Sequence, residues 1–149
     1  MKHITRIVLV VSLFCAFIGS ISCTKESEPA VEYLEVNANN ISGCWELVSW
    51  KDSPLAEGAY VYIEFVRKDT KFDLYQNLDS FSARHLTGRF AIYEDEVCGP
   101  VIRGEYDYGI GEWGHRYSVS LTADKMVWTA LDDPEDVSVY SRCSEIPVK

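Results

Sequence analysis

From Gly43 to Cys143 the hydrophobic positions come in short runs rich in Tyr, Val, Ile, Phe and Trp, separated by turn-forming residues. Strand-favouring residues in brief, regularly punctuated runs predict an all-β sandwich or barrel. Eight runs stand out, at residues 43–51, 60–68, 71–78, 84–97, 101–108, 116–121, 125–131 and 137–143. The fourth is long enough to carry a bulge or a split near Gly88. No stretch sustains a helical period, which removes the parallel α/β folds.

The connections alternate in kind. Asp69-Thr70, Cys98-Gly99-Pro100 and Thr122-Ala123-Asp124 are hairpin-sized, whereas residues 52–59, 79–83, 109–115 and 132–136 make longer loops. In an up-and-down order all the tight turns gather at one end and all the longer loops at the other. That is a closed meander with a shut base and an open mouth. Trp50, Tyr60, Phe81, Trp113 and His115 lie in or beside the long loops, so they are the candidate ligand-binding residues of that mouth. An interior of this size can also be filled by its own side chains, and Phe65, Phe72, Phe90 and Trp128 are bulky enough for that.

The pattern differs before residue 42. Lys2 and Arg6 precede an apolar run at residues 7–18, and Gly19-Ser20-Ile21-Ser22 leads into Cys23. A basic start, an apolar stretch too short for a comfortable membrane span and a small-residue exit describe a secretory signal over residues 1–22. The exit resembles a bacterial lipoprotein signal, in which the cysteine, here Cys23, becomes the lipidated first residue, carrying acyl chains such as palmitate. Ser20 stands where that pattern usually has Leu, and Cys15 interrupts the apolar run instead of ending it. Thr24-Lys25-Glu26-Ser27-Glu28 is similar to the acidic export tag of some surface lipoproteins. Residues 24–41, with Pro29 and Asn37, Asn39 and Asn40, read as a flexible tether with ends about 20–25 Å apart. The expected organisation is therefore a signal (1–22), a lipidated tether (23–41) and a barrel domain (42–149).

Composition then limits the partners. The whole chain has 14 basic and 23 acidic side chains, a net −9. Residues 1–22 hold two of the bases and no acid, so the exported part carries −11. Such a surface repels phosphate backbones, which argues against nucleic acid, and it disfavours adsorption to anionic membranes. The lipid must then hold the protein at an outer membrane or cell surface.

The first and last runs carry a family resemblance. Gly43-Cys44-Trp45 resembles the Gly-x-Trp signature of lipocalins and their bacterial lipocalin-like relatives, and Val137-Ser138-Val139-Tyr140-Ser141-Arg142 resembles their arginine-bearing closing strand. Tyr62-Ile63-Glu64-Phe65 and Gly88-Arg89-Phe90-Ala91-Ile92 are similar to further strands of small lipocalin-like lipoproteins. The resemblance covers residues 41–143 and omits the helix that longer lipocalins place after the barrel. It implies an eight-stranded barrel with Trp45 at the base, Arg142 packed across it and a small apolar ligand in the mouth. If Trp45 and Arg142 oppose each other on neighbouring strands, Cys44 and Cys143 also do, and in an oxidising compartment they are the expected disulfide. Cys98, in a tight turn at the same end, leaves the other pairings open. Neither a CxxC nor a nearby His supports zinc.

Catalytic chemistry finds little footing. No GxSxG, HExxH or Cys–His nucleophile is present. Glu112 and His115 are the one acid–base pair on offer, and a solvated loop accounts for them as well. Residues 132–136 are acidic but lack EF-hand spacing. The expectation is a non-catalytic binding protein without cofactor or metal. A filled barrel serving an envelope protein partner is the alternative.

Overall fold

Nine strands form among the described residues, which are 30–78 and 82–149 of this computed structural model. They are β1 (Gly43–Trp50), β2 (Val61–Val66), β3 (Lys71–Gln76), β4 (Arg84–Asp95), β5 (Gly99–Tyr106), β6 (Gly111–Glu112), β7 (Tyr117–Leu121), β8 (Lys125–Ala130) and β9 (Val137–Cys143). Each long strand pairs antiparallel with the next, β5 reaches β7 past the two-residue β6, and β1 pairs with β9 to close the ring. The result is a closed eight-stranded up-and-down barrel, which leaves no long edge unpaired.

Side-chain alternation along each strand builds the interior. Phe65, Phe72, Phe90, Ile102, Leu121 and Met126 are buried and fill the half of the barrel nearer the tight turns. Phe65 and Phe90 meet edge to face, with ring centroids 5.0 Å apart, an arrangement aromatic pairs prefer. Gly88 does not split β4, which runs unbroken for 12 residues. A Cβ there would stand 2.2 Å from the Glu105 carbonyl oxygen and 2.6 Å from the Phe72 ring, so a glycine is what lets Phe72 and β5 close on β4.

One irregularity matters for the mouth. Leu47 pairs with Tyr140 but Ser49 pairs with Val139, so Val48 is an extra residue in β1. A bulge re-aims the side chains beyond it. Trp50, opposite the buried Ser138, therefore turns inward although strict alternation from Trp45 would turn it out.

Trp45 is fully buried at the base and pairs in register with Arg142. Its indole N–H donates to the Ile41 carbonyl at 2.8 Å, and the guanidinium carbon of Arg142 lies 4.1 Å from its ring centroid. Arg142 donates to the carbonyls of Ala123, Ser42 and Asn40 at 2.8–2.9 Å. Gly43, with φ +111°, lets the chain enter β1 beneath that guanidinium. One planar fork thus ties the start of the barrel to the turn between β7 and β8.

Two expectations are corrected here. Much of the segment read as tether is docked on the barrel: Ile41 is fully buried, Leu34, Val36 and Ala38 pack against the core, and Leu34 N–H donates to Leu121 O at 2.8 Å. Its apolar residues lacked periodicity, yet the base offered them a surface to cover. Cys44 and Cys143 do stand directly opposite, but both are free thiols and the expected disulfide is absent. Opposed register sets the backbone separation, not the rotamers that bring two sulfurs together. Burial, and beside Cys44 the Glu64 carboxylate, also pushes both thiols up from their ordinary value, and the thiolate is the reactive form. Cys98 is exposed in the β4–β5 turn, and Cys23 lies outside the described residues.

Candidate ligand-binding site at the barrel mouth

At the long-loop end the barrel holds a cavity of about 210 Å³. Leu47, Val61, Ile63 and Leu74 form one side of it, and Tyr106, Trp113, Tyr117, Trp128 and Tyr140 form the other, with Trp50 and Leu78 at the rim. The aliphatic side comes from the inward positions of β1, β2 and β3. The aromatic side comes from β5, β7, β8 and β9 together with the loop before β7.

Trp113 is the organising residue of the aromatic side. It follows β6, and its backbone N–H donates to Gly104 O at 2.9 Å. Its indole lies flat on β5, where a Cβ on Gly104 would come within 2.1 Å of it. From there it packs against Phe72 at 5.1 Å and stacks on Trp128 at 5.2 Å. Tyr117 and Tyr140 complete the cluster, at 5.1 Å and 4.9 Å from the Trp128 ring. The aromatic walls brace one another, so the cavity is shaped before anything enters it.

The polar groups of the cavity are neutral. Burial raises the phenol of Tyr106, and burial with the nearby Asp136 carboxylate raises those of Tyr117 and Tyr140, Tyr117 to about 12. Asp136 is itself buried and accepts the Trp50 indole N–H at 2.7 Å. Among the described residues, no lysine, arginine or histidine lines the cavity. The indole N–H groups of Trp113 and Trp128 are buried and find no acceptor among the described residues.

Of the residues read from the sequence as mouth ligands, Trp50 and Trp113 line the cavity. Tyr60 does not. It stands just before β2, its ring 5.8 Å from that of the outward-phase Tyr62, while Val61, Ile63 and Phe65 take the inward positions. His115 is also outside the lining, with Nδ1 2.7 Å from Asp132 Oδ1, a contact that holds the Asp132 carboxyl below its usual range. Phe81 lies outside the described residues. The Glu112/His115 pair is not assembled. Glu112 sits opposite Glu105 beside Arg89 and Arg103 in a shallow outer cleft, while His115 is committed to Asp132. Phe65, Phe72 and Phe90 form the floor instead of the walls. No cluster of three metal-ligating side chains occurs among the described residues.

Tyr106, Tyr117 and Tyr140 escaped the sequence reading, and Trp128 entered it only as filling. Each sits on a strand, where inward phase can be read, but height along the barrel cannot. Height separates a floor residue from a wall residue. No protein-family model and no curated protein matches the chain.

Proposed function

We propose that this chain is an exported, lipid-anchored, lipocalin-like binding protein whose barrel mouth captures one small, mostly apolar molecule without converting it. The cavity above the filled floor carries this reading. Its volume of about 210 Å³ lies between an apolar cavity of about 150 Å³, which admits benzene, and drug-sized pockets of about 300–1,000 Å³. A molecule of one or two rings is the right size, and a long acyl chain is too large. The docked segment at residues 31–41 crosses the base, so a lipid on Cys23 would hold the base towards the membrane and leave the mouth facing away.

Native mass spectrometry of the chain from Thr24 onward, after incubation with a lipid and metabolite extract, tests the capture. A discrete added mass that leaves on denaturation is expected, and a bare protein mass across several extracts would overturn it. The anchor has its own test: Cys23→Ala should move the protein from the membrane to the soluble fraction.

One observation favours a second reading, a rim that docks an envelope protein. Tyr108 is 94% exposed and Ile110 59% exposed on the loop that also carries Trp113. Aromatic and aliphatic side chains held in water at a loop tip are what a protein partner covers. Tyr108→Ser with Ile110→Ser should abolish capture of such a partner and leave small-molecule binding intact.

A further inference from the structure

We infer that the outer wall of the barrel carries a second binding site, for a small zwitterion, in the cleft lined by Arg89, Arg103, Glu105 and Glu112. The site lies outside the mouth and does not depend on what the mouth binds.

Strand phase and register build the cleft. Phe90 and Gly104 take buried, inward positions, so Arg89, Ala91, Arg103 and Glu105 take the exposed, outward ones. Arg89 stands opposite Glu105, Ala91 opposite Arg103, and Glu105 opposite Glu112 of β6. Arg89 and Arg103 are therefore diagonal neighbours, about 7–8 Å apart. The small side chain of Ala91 leaves room beside them, and a cleft of about 140 Å³ results.

The charges around it are unspent. Arg89 and Glu105 are opposite in position and in sign, an arrangement that stabilises paired strands when the two groups meet. Among the described residues, however, none of the four side chains makes an ion pair or a side-chain hydrogen bond. Arg67, Arg116 and Arg142 differ, since each donates to a protein oxygen. The cleft thus holds two guanidiniums without an acceptor. It also holds two directly opposed carboxylates without a cation, and like charges so placed destabilise a sheet.

The chemistry of the occupant follows. An anion alone would satisfy the arginines and be repelled by the glutamates, and a cation alone would meet the reverse. One molecule carrying an oxyanion and an ammonium answers both pairs. Guanidinium groups hold carboxylate or phosphate oxygens through two parallel hydrogen bonds, which fixes the anionic end. At about 140 Å³ the cleft is close to the size of a cavity that admits benzene, about 150 Å³. A free amino acid or a phosphoethanolamine group fits that space, and a folded partner does not enter it.

Alanine, propionate and ethylamine separate the terms, since alanine joins the two charges that the others carry singly. In a ¹⁵N-correlated titration of the purified full-length chain at low salt, alanine should move the amide signals of Arg103 and Glu112. It should bind roughly fivefold tighter than propionate or ethylamine, the return on a second exposed ion pair. Added salt should weaken it, because exposed charges are screened. Glu105→Gln with Glu112→Gln should bring propionate up to the affinity of alanine. Arg89→Gln with Arg103→Gln should abolish binding of both and leave ethylamine in place. All four positions are exposed, and an unchanged melting temperature in each variant separates loss of the site from loss of the fold. Phosphoethanolamine binding tighter than alanine would support the zwitterion as a lipid headgroup, and weaker binding would support the free amino acid. Propionate or ethylamine matching alanine on the wild type would overturn the zwitterion. No response to any of these probes would overturn the site and leave the reading of the mouth untouched.

Discussion

Trp45 shows how much one side chain can hold. It is enclosed completely, its N–H is spent on Ile41, and Arg142 covers its ring while bonding three backbone carbonyls. Truncating a buried aromatic of this kind costs about 3–5 kcal/mol, so Trp45→Ala should lower the urea midpoint by that equivalent with the denaturant slope unchanged. A near-neutral result would show that the base closes without its plug. Both residues were legible in the sequence through their place at the first and last strands. The stacking itself needed the β1–β9 pairing, which joins positions nearly one hundred residues apart. Cys44 and Cys143 mark the limit of the same logic: register made them opposite, yet both are free thiols.

Among the elements, β5 and the loop after it decide the character of the mouth. Gly104 is the only residue type that lets the Trp113 indole lie on the strand, because any Cβ would penetrate the ring. Gly104→Ala should push Trp113 out of the barrel, shift its fluorescence to the red and cost about 1–3 kcal/mol of stability, as overpacking does. Gly114→Ala is the control, since a Cβ there meets nothing within 4 Å and φ needs no glycine. It should change stability by no more than about 0.5 kcal/mol. The sequence showed a glycine-rich loop with a tryptophan at residues 109–115, and could equally be read as a solvated tip. Which way that indole turned depended on a gap in β5 at Gly104, which the sequence does not mark as the partner of Trp113. The Val48 bulge carries the same lesson for Trp50, because the extra residue in β1 is defined by its partner strand β9.

For the whole molecule, the buried tyrosines and the loop carboxylates set opposite limits in pH. Tyr117 is raised to about 12, and Tyr106 and Tyr140 are raised as well, chiefly by burial. A raised acid holds its proton more tightly when folded. Stability is therefore complete below the ordinary tyrosine value of about 10 and falls as the pH climbs through the folded values. Thermal melts should lose midpoint temperature steadily above about pH 10, in step with tyrosinate absorbance. At the other end, Asp95 is lowered by the N–H groups of Cys98 and Val97, Asp132 by His115 and Asp133 by Lys51. Their contribution is present above the ordinary carboxylate value and lost as the pH falls through the lower folded ones, a small effect because all three are exposed. Asp95→Asn should remove part of that acid sensitivity in the same melts.

The sequence by itself determined the strands, the alternation of tight and long connections and hence an eight-stranded meander with a base and a mouth. Those properties are local: residue type and turn chemistry act over a few positions and need no knowledge of partners. The tertiary structure alone decided that residues 31–41 dock at the base, that Trp50 and Trp113 turn into the barrel while Tyr60 turns out, and that the floor is filled beneath an open upper half. It also left the buried indole N–H groups of Trp113 and Trp128 without an acceptor among the described residues. Each of these depends on the height, bulges and gaps of strands distant in the chain, quantities that exist only once the ring has closed.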